Sequence, residues 1–455
     1  MEGYEETIAA LSTPEGVGGL AVVRISGPNT LKILNPCLTR IPPEPFRATF
    51  TSFLNPKTGS FIDDVVVTFY KSPLSYTGED LAEISCHGSR LIPSLILEVL
   101  FSQGARLAQP GEFTRRAFLH GKMDLTQVEA IADMIYAETE NSLKSARMLL
   151  KGRLSEELEK IKATLIEAVS LLEISLDFID QDIEPINSKD VQTYLQKGLH
   201  HINALVSSYR TGKILHDGAR IPIIGKPNVG KSSLLNAILQ EERVITSEIP
   251  GTTRDYIEEQ VNYAGYLLRF FDTAGLRETE DFIEKLGVKK TQSLIREADL
   301  LLFMTEFPEE IPELIAPLKA QSHPTLLILN KRDKLSEEQV KNALSYASHD
   351  LPILAISALN ETHIAELMDE ILNLLKKHYT LNTESVMISH LRHQTHLKKA
   401  QKALLRGQKA ILSGLPAEFI VEDIREALSA FDDITGKTTS VEILNHIFNQ
   451  FCVGK

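Results

Sequence analysis

The sequence predicts a fold of class α/β plus α, in which a parallel-sheet module is inserted into a helical bundle that follows an N-terminal α/β segment. Residues 1–120 contain β-branched, alternating stretches such as "GLAVVRIS" and "DDVVVTFY", which are typical of strands. Between 121 and 216, apolar residues recur every three or four positions, as they do along amphipathic helices. From 217 to 379 short apolar stretches alternate with helical ones, and helical periodicity returns after 380.

Three domains follow from these shifts in periodicity. We expect an N-terminal domain at 1–120, a central helical domain built from 121–216 and 380–455, and an inserted domain at 217–379. The inserted domain should carry a parallel sheet, because its apolar stretches are short and are separated by helical segments. Those stretches are "RIPIIG", "LLRFFDTAG", "DLLLFMTE", "TLLILNKRD" and "PILAISAL".

Composition limits the classes of protein to which the chain can belong. Hydrophobic residues make up 43% and charged residues 24% of the chain, the balance of a globular protein. No apolar run approaches the roughly 18–20 residues that a membrane span needs, and the acidic N-terminus lacks the features of a secretory signal. Cys37, Cys86 and Cys452 lie too far apart for a C-x-x-C metal site or a disulfide framework, so we expect a cytoplasmic protein.

The net charge of −13 bears on nucleic-acid binding. A protein that holds RNA chiefly by neutralising phosphates carries a basic surface, and this chain is acidic. Any contact with RNA should therefore be local, or be shared with another subunit.

The stretch "IPIIGKPNVGKSSLLNAI" matches the G-x-x-x-x-G-K-S/T phosphate loop at Gly225, Gly230, Lys231 and Ser232. Glycines let backbone N–H groups turn inward toward phosphates. The helix that begins near Lys231 adds the positive end of its dipole. We expect Lys231 to reach the β- and γ-phosphates and Ser232 to bind Mg²⁺.

Three further motifs at the ends of predicted strands indicate a guanine nucleotide. In "DTAG", Asp272 is expected to hold Mg²⁺ through water, and the N–H of Gly275 to meet the γ-phosphate. In "NKRD", Asp333 can accept hydrogen bonds from N1–H and the 2-amino group of guanine, a donor pair that adenine lacks. The backbone of "SAL", at 357–359, should lie near guanine O6.

The group that activates water differs from the one used by many GTPases. A glutamine often follows "DTAG", but Leu276 stands there and cannot orient water. Glu284 is a candidate that would act through a second water. In "GTTRD", Thr253, or else Thr252, should bind Mg²⁺ and sense the γ-phosphate from a switch loop. Asn228 places an oxygen beside the phosphates, where arginine, lysine or a bound monovalent cation would supply positive charge.

The predicted nucleotide site gathers these motifs. Its catalytic members are Glu284, Lys231 and Thr253, and its Mg²⁺ ligands are Ser232 and Thr253. The GTP-binding residues are Asn228, Val229, Gly230, Lys231, Ser232, Ser233, Ser247, Thr252, Thr253, Asp272, Thr273, Ala274, Gly275, Asn330, Lys331, Asp333, Ser357 and Ala358.

The sequences that flank these motifs narrow the family. "GKPNVGKSS", "GTTRD", "DTAGLR" and "NKRD" together resemble the Era-like class of GTPases. "TGEDLAEISCHG", "QPGEFTRRAFLHGKMDLTQVEAIADMI" and the terminal "FCVGK" are similar to the MnmE (TrmE) family. The similarity covers essentially the full chain, with the motifs in the family's order.

This resemblance implies a three-part fold and a function in tRNA modification. The parts are an N-terminal tetrahydrofolate-binding and dimerisation domain, a central helical domain and an inserted P-loop (Ras-like) G domain. With the flavoprotein MnmG (GidA), the family installs a carboxymethylaminomethyl or aminomethyl group on C5 of the wobble uridine of certain tRNAs. The one-carbon unit comes from 5,10-methylene- or 5-formyl-tetrahydrofolate. The implied assembly is a homodimer that joins MnmG in a heterotetramer and meets tRNA through that complex.

The resemblance also implies roles for individual residues of the G domain. Asn228 would bind K⁺ together with backbone oxygens near Ser247, Ile249 and Thr252. The K⁺ would replace an arginine finger, and G domains would meet across the dimer. Glu284 matches the family glutamate that orients water indirectly.

Folate, by the same resemblance, would contact Arg24, Glu83, Lys122 and Lys455. A carboxylate such as Glu83 suits a pterin edge that presents two N–H donors, and Arg24 and Lys122 suit polar or anionic groups of the ligand. Cys452 stands where the family carries its terminal cysteine. Both a chemical role and a buried structural role are open for that thiol.

Two other functions are compatible with an Era-like nucleotide site. Regulatory GTPases of ribosome assembly usually append a basic RNA-binding domain, whereas this chain has no strongly basic tail. Membrane-remodelling GTPases need a membrane segment or a basic amphipathic surface, and neither stands out. We therefore favour a K⁺-stimulated GTPase of wobble-uridine modification, with the ribosome-assembly GTPase as the alternative.

Overall fold

The structure is a computed structural model whose chain divides into two compact units. The first unit contains Met1–Ala132, Leu150–Ser155 and Ser429–Lys455, and the second contains Asp133–Leu149 and Glu156–Leu428. The structure describes residues 6–40, 44–177, 188–241, 257–272, 295–321, 323–379, 381 and 385–455.

The first unit is built on a six-stranded sheet. Its strands are β1 (Ile8–Leu11), β2 (Leu20–Ser26), β3 (Ala48–Leu54), β4 (Phe61–Tyr70), β5 (Leu81–His87) and β6 (Arg106–Leu107). Helices α1 (Thr30–Leu34), α2 (Ile92–Ser102) and α3 (Glu112–Leu119) accompany them. The strand order is β3-β4-β5-β2-β1-β6, and all pairs are antiparallel except β1 with β6. The strands predicted from "GLAVVRIS" and "DDVVVTFY" are confirmed.

Alternation along β2 and β5 separates a packed face from a polar one. Val23, Ile25 and Ile84 are fully buried in a core that also contains Leu100 of α2. Because successive side chains of a strand point to opposite faces, Arg24 and Glu83 lie on the other face. The register places these two residues directly opposite each other on neighbouring strands.

A buried ionic cluster holds the turn before β5. The Arg116 guanidinium, which is fully buried, donates to both carboxylate oxygens of Glu79 at 3.1 and 3.0 Å and to Glu112 at 2.9 Å. Burial raises the pKa of Glu112, but hydrogen bonds from Arg106, Gln109 N and Arg116 outweigh it and bring that pKa below its usual value. The carboxylate is therefore charged at neutral pH, as this cluster requires.

Long helices follow, as their periodicity predicts. They are α4 (Leu125–Tyr136), α5 (Glu140–Leu150), α6 (Arg153–Asp177) and α7 (Ser188–Asp217). The C-terminal helices are α12 (Leu391–Leu412), α13 (Ala417–Thr435) and α14 (Val441–Phe448). Helix α7 packs along α12, and Gly198 of α7 leaves space for Leu165 of α6. No helix in the described ranges has both the length and the apolarity needed to cross a bilayer.

Between α7 and α12 lies the predicted sheet module. In chain order its elements are β7 (Ala219–Gly225), α8 (Lys231–Glu241), β8 (Ile257–Tyr263), β9 (Tyr266–Asp272), β10 (Leu301–Thr305), α9 (Ile311–Lys319), β11 (Thr325–Leu329), α10 (Glu337–Leu344), β12 (Ile353–Ala355) and α11 (Ile364–Tyr379). The strand order is β12-β11-β10-β7-β9-β8. A core cluster of buried residues from this sheet, α8 and α11 supports it.

The predicted parallel sheet is confirmed for its five named stretches, and the structure adds one antiparallel strand at an edge. Strand β8 runs antiparallel to β9, whereas the other pairs are parallel. The two strands form a hairpin through Ala264 and Gly265, whose φ angles of 48° and 81° favour a two-residue primed turn. The "AG" between two apolar stretches is the signal in the sequence that indicates this hairpin.

The inserted module begins and ends at one place on α7. The Thr211 hydroxyl donates to Tyr379 O at the end of α11. One turn earlier on the same helix, the Ser208 hydroxyl accepts from Ile388 N at 3.2 Å. At Gly212 a Cβ atom would lie 2.3 Å from Ile388 O, so only glycine permits this approach.

Candidate functional site

The phosphate loop connects β7 to α8, as predicted. Gly230 has a φ of 99°, and a Cβ there would lie 2.4 Å from Asn330 Nδ2. A Cβ on Gly225 would lie 2.4 Å from Met304 O in the adjacent strand β10. Close packing therefore requires glycine at both positions, and the backbone conformation requires it at Gly230 as well.

The basic and hydroxyl groups of the loop lie at the start of α8. Lys231 is buried, and its Nζ donates to Gly225 O at 3.0 Å and Lys226 O at 2.9 Å. The Ser232 hydroxyl donates to Asp272 Oδ2 at 2.8 Å. Ser232 and Asp272, which are far apart in sequence, thus meet where Mg²⁺ would need a hydroxyl and a carboxylate.

Asn330 connects the phosphate loop to the loop after β12. Its side chain is buried, its Nδ2 donates to Val229 O at 2.7 Å, and its Oδ1 accepts from Ala358 N at 3.0 Å. The predicted contact of Asn330 with GTP stays a prediction. In the structure its side chain braces the phosphate loop against the loop after β12. Both of its hydrogen-bonding functions are used inside the protein.

The predicted guanine-recognition residues lie together at the carboxyl ends of β11 and β12. Asp333 Oδ1 accepts from the Ser357 hydroxyl at 2.5 Å. Arg332 N donates to Ile356 O at 3.0 Å, which holds the two loops side by side. The hydroxyl of Ser357 fixes the orientation of a carboxylate that would otherwise rotate, so Asp333 can present an oxygen to a base.

Asn228 lies at the opening of the phosphate loop. It is exposed and has a φ of 61°, a conformation that asparagine tolerates better than most residues. Lys331 Nζ donates to Asn228 O at 2.9 Å and pairs with Glu306. The backbone carbonyl is thus occupied, and the exposed side-chain amide is the group that remains to face a ligand.

Several predicted site residues lie outside the described ranges. These are Ser247, Ile249, Thr252, Thr253, Thr273, Ala274, Gly275 and Glu284. Their predicted contacts with Mg²⁺, K⁺, phosphate and water stay predictions. Of the remaining members, Ser233 lies on the exposed side of the first turn of α8.

The first unit carries the residues predicted to contact folate. Arg24 Nη2 donates to Glu83 Oε1 at 2.7 Å, and Arg24 Nε donates to the same oxygen at 3.1 Å. The other carboxylate oxygen accepts from the Tyr70 hydroxyl at 3.4 Å. The Arg24 guanidinium also lies over the rings of Tyr76 and Phe113, 5.4 and 5.6 Å from their centroids. The result is a partly exposed ion pair beside aromatic faces.

The other two predicted folate residues have different surroundings. Lys122 Nζ donates to Pro73 O at 3.0 Å, in the turn that precedes β5. The Lys455 carbonyl accepts from Phe113 N at 3.2 Å, and Gly454 O accepts from Arg24 Nη1 at 3.4 Å. The chain terminus therefore lies against the Arg24 face of the sheet.

Cys452 belongs to the same terminal segment and is exposed. A buried structural role for this thiol is therefore wrong, and Cys37 and Cys86 are the buried cysteines. Burial raises the pKa of each of these two thiols to about 11, so they are protonated at neutral pH.

Sequence reasoning missed a cluster of ionisable side chains in the second unit. Asp133 of α4 is buried, and its carboxylate bonds to His216 Nε2 at 2.9 Å and to His390 Nε2 at 3.0 Å. His216 Nδ1 lies 2.5 Å from Asp217 Oδ1. His216 and His390 are separated from Asp133 by 83 and 257 positions, so no spacing motif could have revealed the cluster.

Burial and hydrogen bonding act in opposite directions on this cluster. Burial raises the pKa of Asp133, but hydrogen bonds from His216 and His390 bring it to about 2. Burial lowers the pKa of His216, but hydrogen bonds to Asp133 and Asp217 bring it to about 10. A cavity of about 250 Å³ adjoins the cluster, and Asp133, Thr139, Ser142, His216 and Arg269 are among its lining residues.

Comparison with known proteins identifies the family. The model of the MnmE helical domain matches residues 125–452, and the model of the GTP-binding protein TrmE N-terminus matches 7–122. The chain belongs to the MnmE (TrmE) family. Both matches lie in the order expected from "TGEDLAEISCHG" and "FCVGK".

Curated relatives match the chain from end to end. The protein of Carboxydothermus hydrogenoformans named tRNA modification GTPase MnmE is 39% identical over 462 residues, which cover 99% of this chain and all of the relative. Relatives of the same name from Natranaerobius thermophilus and Thermotoga petrophila are also 39% identical. Each of these alignments covers 99% of this chain and 100% of the relative. A crystal structure of an Aquifex aeolicus Era variant bound to GDP and aluminium fluoride is 28% identical, covers 41% of this chain and 66% of its own, and has a TM-score of 0.26, too low to compare the folds.

Replacing Asn330 by Ala tests the brace between the nucleotide loops. The variant leaves Val229 O and Ala358 N without their present partner, and each lost buried hydrogen bond costs about 1–3 kcal/mol. We expect the affinity for a fluorescent GDP analogue to fall roughly 10- to 100-fold. Asn342→Ala, on the exposed side of α10, is the matched control. Equal affinities in the two variants would contradict the bracing role.

Proposed function

We propose that the protein hydrolyses GTP in tRNA modification. The full-length similarity to proteins named tRNA modification GTPase MnmE is the observation that carries this proposal. The loops after β7, β11 and β12 support it, because the phosphate-loop motif and the Asp333 carboxylate lie at one edge of the sheet. A GTPase of ribosome assembly is less well supported, because the full-length relatives described above are named tRNA modification GTPase MnmE.

The finer proposal concerns the reaction and its partners. Together with MnmG, this protein installs a carboxymethylaminomethyl or aminomethyl group on C5 of the wobble uridine, with the one-carbon unit taken from a tetrahydrofolate. The protein acts in the cytoplasm as a homodimer within a heterotetramer that includes MnmG. Because this chain has a net charge of −13, the basic surface that binds tRNA is proposed to lie mainly on MnmG.

In the nucleotide site, this chain supplies positioning and charge. When GTP binds, Lys231 would exchange its loop carbonyls for the β- and γ-phosphates, and Ser232 and Asp272 would hold Mg²⁺. Mg²⁺, when bound, neutralises charge that develops on the phosphate oxygens. Asp333 and the backbone near Ala358 select guanine. Glu284 and Thr253, both beyond the described ranges, are proposed to orient water and to close the switch loop.

In the first unit, the Arg24–Glu83 pair is proposed to recognise folate. Glu83 would accept from the N–H donors of the pterin edge, and the rings of Tyr76 and Phe113 already hold the arginine in place. Lys122 and the terminal Lys455 would supply positive charge to anionic groups of the ligand. The contact of Gly454 O with Arg24 supports a contribution of the chain terminus to this site.

Nucleoside analysis of tRNA tests the proposed function. We expect cells that lack this protein to lose the modified wobble uridines, and the intact protein to restore them. Lys231→Ala should fail to restore them, because the phosphates would lose their lysine contact. Lys319→Ala, at the exposed end of α9, is the matched control and should restore them. Normal wobble uridines in the deletion strain would refute the proposal.

Turnover in K⁺ and in Na⁺ tests the proposed alkali-ion site. The wild-type protein should hydrolyse GTP faster in K⁺, and Asn228→Gly should lose that difference. Glycine suits the φ of 61°, so this substitution removes the side-chain oxygen without straining the loop. GDP affinity should be retained. Equal wild-type rates in the two salts would argue against K⁺ in the mechanism.

Titration with 5-formyltetrahydrofolate tests the folate proposal. The wild-type protein should bind it saturably, and Glu83→Gln should bind it more weakly by about 1.5–3 kcal/mol, the range for a hydrogen bond to a charged group. Glutamine still accepts from Arg24, so the ion-pair geometry is disturbed little. Glu98→Gln, on the exposed side of α2, is the control. If Glu83→Gln binds as tightly as wild type, this residue does not recognise the pterin.

A further inference from the structure

The Asp133 cluster has the chemistry of a transition-metal site. The ligand atoms that Asp133, His216 and His390 offer all lie within 4.8 Å of one another. Both histidines present Nε2 to the same carboxylate, and their ring centroids are 5.4 Å apart. Two imidazole nitrogens and one carboxylate oxygen form a recognised ligand set for zinc with an open fourth position.

We propose that Asp133, His216 and His390 bind a Zn²⁺ ion. Zn–N and Zn–O bonds of about 2.0–2.2 Å in a tetrahedron place neighbouring ligand atoms roughly 3.3–3.6 Å apart. The present separations of 2.9 and 3.0 Å between each histidine and Asp133 are hydrogen-bond distances and are shorter than that value. Zinc binding therefore requires these ligand atoms to move apart by roughly 0.3–0.7 Å and the bridging Nε2 protons to be released to solvent.

The next shell of contacts also fits a metal. His216 Nδ1 lies 2.5 Å from Asp217 Oδ1, so the nitrogen that does not face the site has a carboxylate partner. Metal-bound histidines usually have such a partner, which fixes the tautomer and aims the ligand nitrogen. Asp217 therefore acts as a positioning residue for His216.

An open coordination position is available beside the three ligands. The adjoining cavity of about 250 Å³ is lined by Asp133 and His216, and by the hydroxyl residues Thr139 and Ser142. This volume exceeds the roughly 30 Å³ that one water occupies in the liquid. A water or another small oxygen ligand can complete the tetrahedron from that side.

The ion would join elements that are distant in sequence. Asp133 belongs to α4, His216 to the end of α7, and His390 immediately precedes α12. The cavity is also lined by Leu267 and Arg269 of β9, so the site adjoins the inserted sheet module. Zinc at this point would fix the helical elements to the base of that module. The site is independent of the function proposed above.

Zinc titration of the full-length protein tests this site. The protein carries Cys452→Ser to remove the exposed thiol, is stripped with a chelator, and is held in excess Mg²⁺ and GDP to occupy the nucleotide site. Titration with Zn²⁺ against a chromophoric chelator should show one saturable site. Asp217→Asn should weaken it about 10- to 100-fold, the usual effect of removing a partner of a ligand. His216→Gln and His390→Gln should weaken it more.

The same helix provides a matched control. His200 and His201 of α7 are exposed neighbours whose ring centroids are 5.8 Å apart, so they could bind metal at the surface. The double variant His200→Gln/His201→Gln should retain full affinity. Loss of zinc in this control, with retention in His216→Gln and His390→Gln, would overturn the proposal. So would the absence of saturable binding, which would leave the cluster as an ion-pair network alone.

A spectroscopic measurement on the unsubstituted cluster avoids dependence on variants that fail to fold. Co²⁺ in the stripped Cys452→Ser protein should give the intense visible bands of a tetrahedral site, without sulfur charge-transfer bands. Addition of Zn²⁺ should abolish those bands by displacement. A spectrum of octahedral, water-like Co²⁺ would overturn the assignment.

Discussion

The nucleotide site depends on the buried side chain of Asn330. One amide group bonds to the carbonyl of the phosphate loop and to the backbone N–H of the loop after β12. The first loop is proposed to hold phosphates and the second to face the base, so the brace would set the distance between the two ends of one ligand. The close approach of Gly230 to this amide explains why the loop admits no larger residue there. If both loops bind the nucleotide as proposed, specificity for the base and affinity for the phosphates are coupled through one side chain.

The second predicted site uses a different kind of constraint. Arg24 and Glu83 face each other because β2 and β5 pair in a fixed antiparallel register, and aromatic rings hold the arginine. The buried Arg116–Glu79 contact holds the turn that contributes Tyr76. The strand register and the buried Arg116–Glu79 contact therefore fix the positions of the side chains in this candidate site. In the inserted module, the Asn330 amide alone fixes the spacing of the two loops.

Structural features set by residues that are close in the sequence could be predicted, whereas features set by contacts between distant residues were missed. The phosphate loop and "NKRD" each follow a strand in the structure as expected, and Asp272 of "DTAG" ends one, because strand ends and glycine turns are encoded locally. The antiparallel β8 was missed because its hairpin signal is only Ala264–Gly265. The bracing role of Asn330 and the meeting of Asp133 with His216 and His390 arise from tertiary packing. No spacing rule in one sequence contains that information.

The insertion of the sheet module has a consequence for how the chain is built. Thr211 bonds to Tyr379 O, and Gly212 lets Ile388 approach α7. Because the end of the module lies against α7, the helix that precedes it, α7 and α12 pack against each other although the whole module separates them in sequence. A module whose two ends lie close together can be inserted where another protein has only a surface loop.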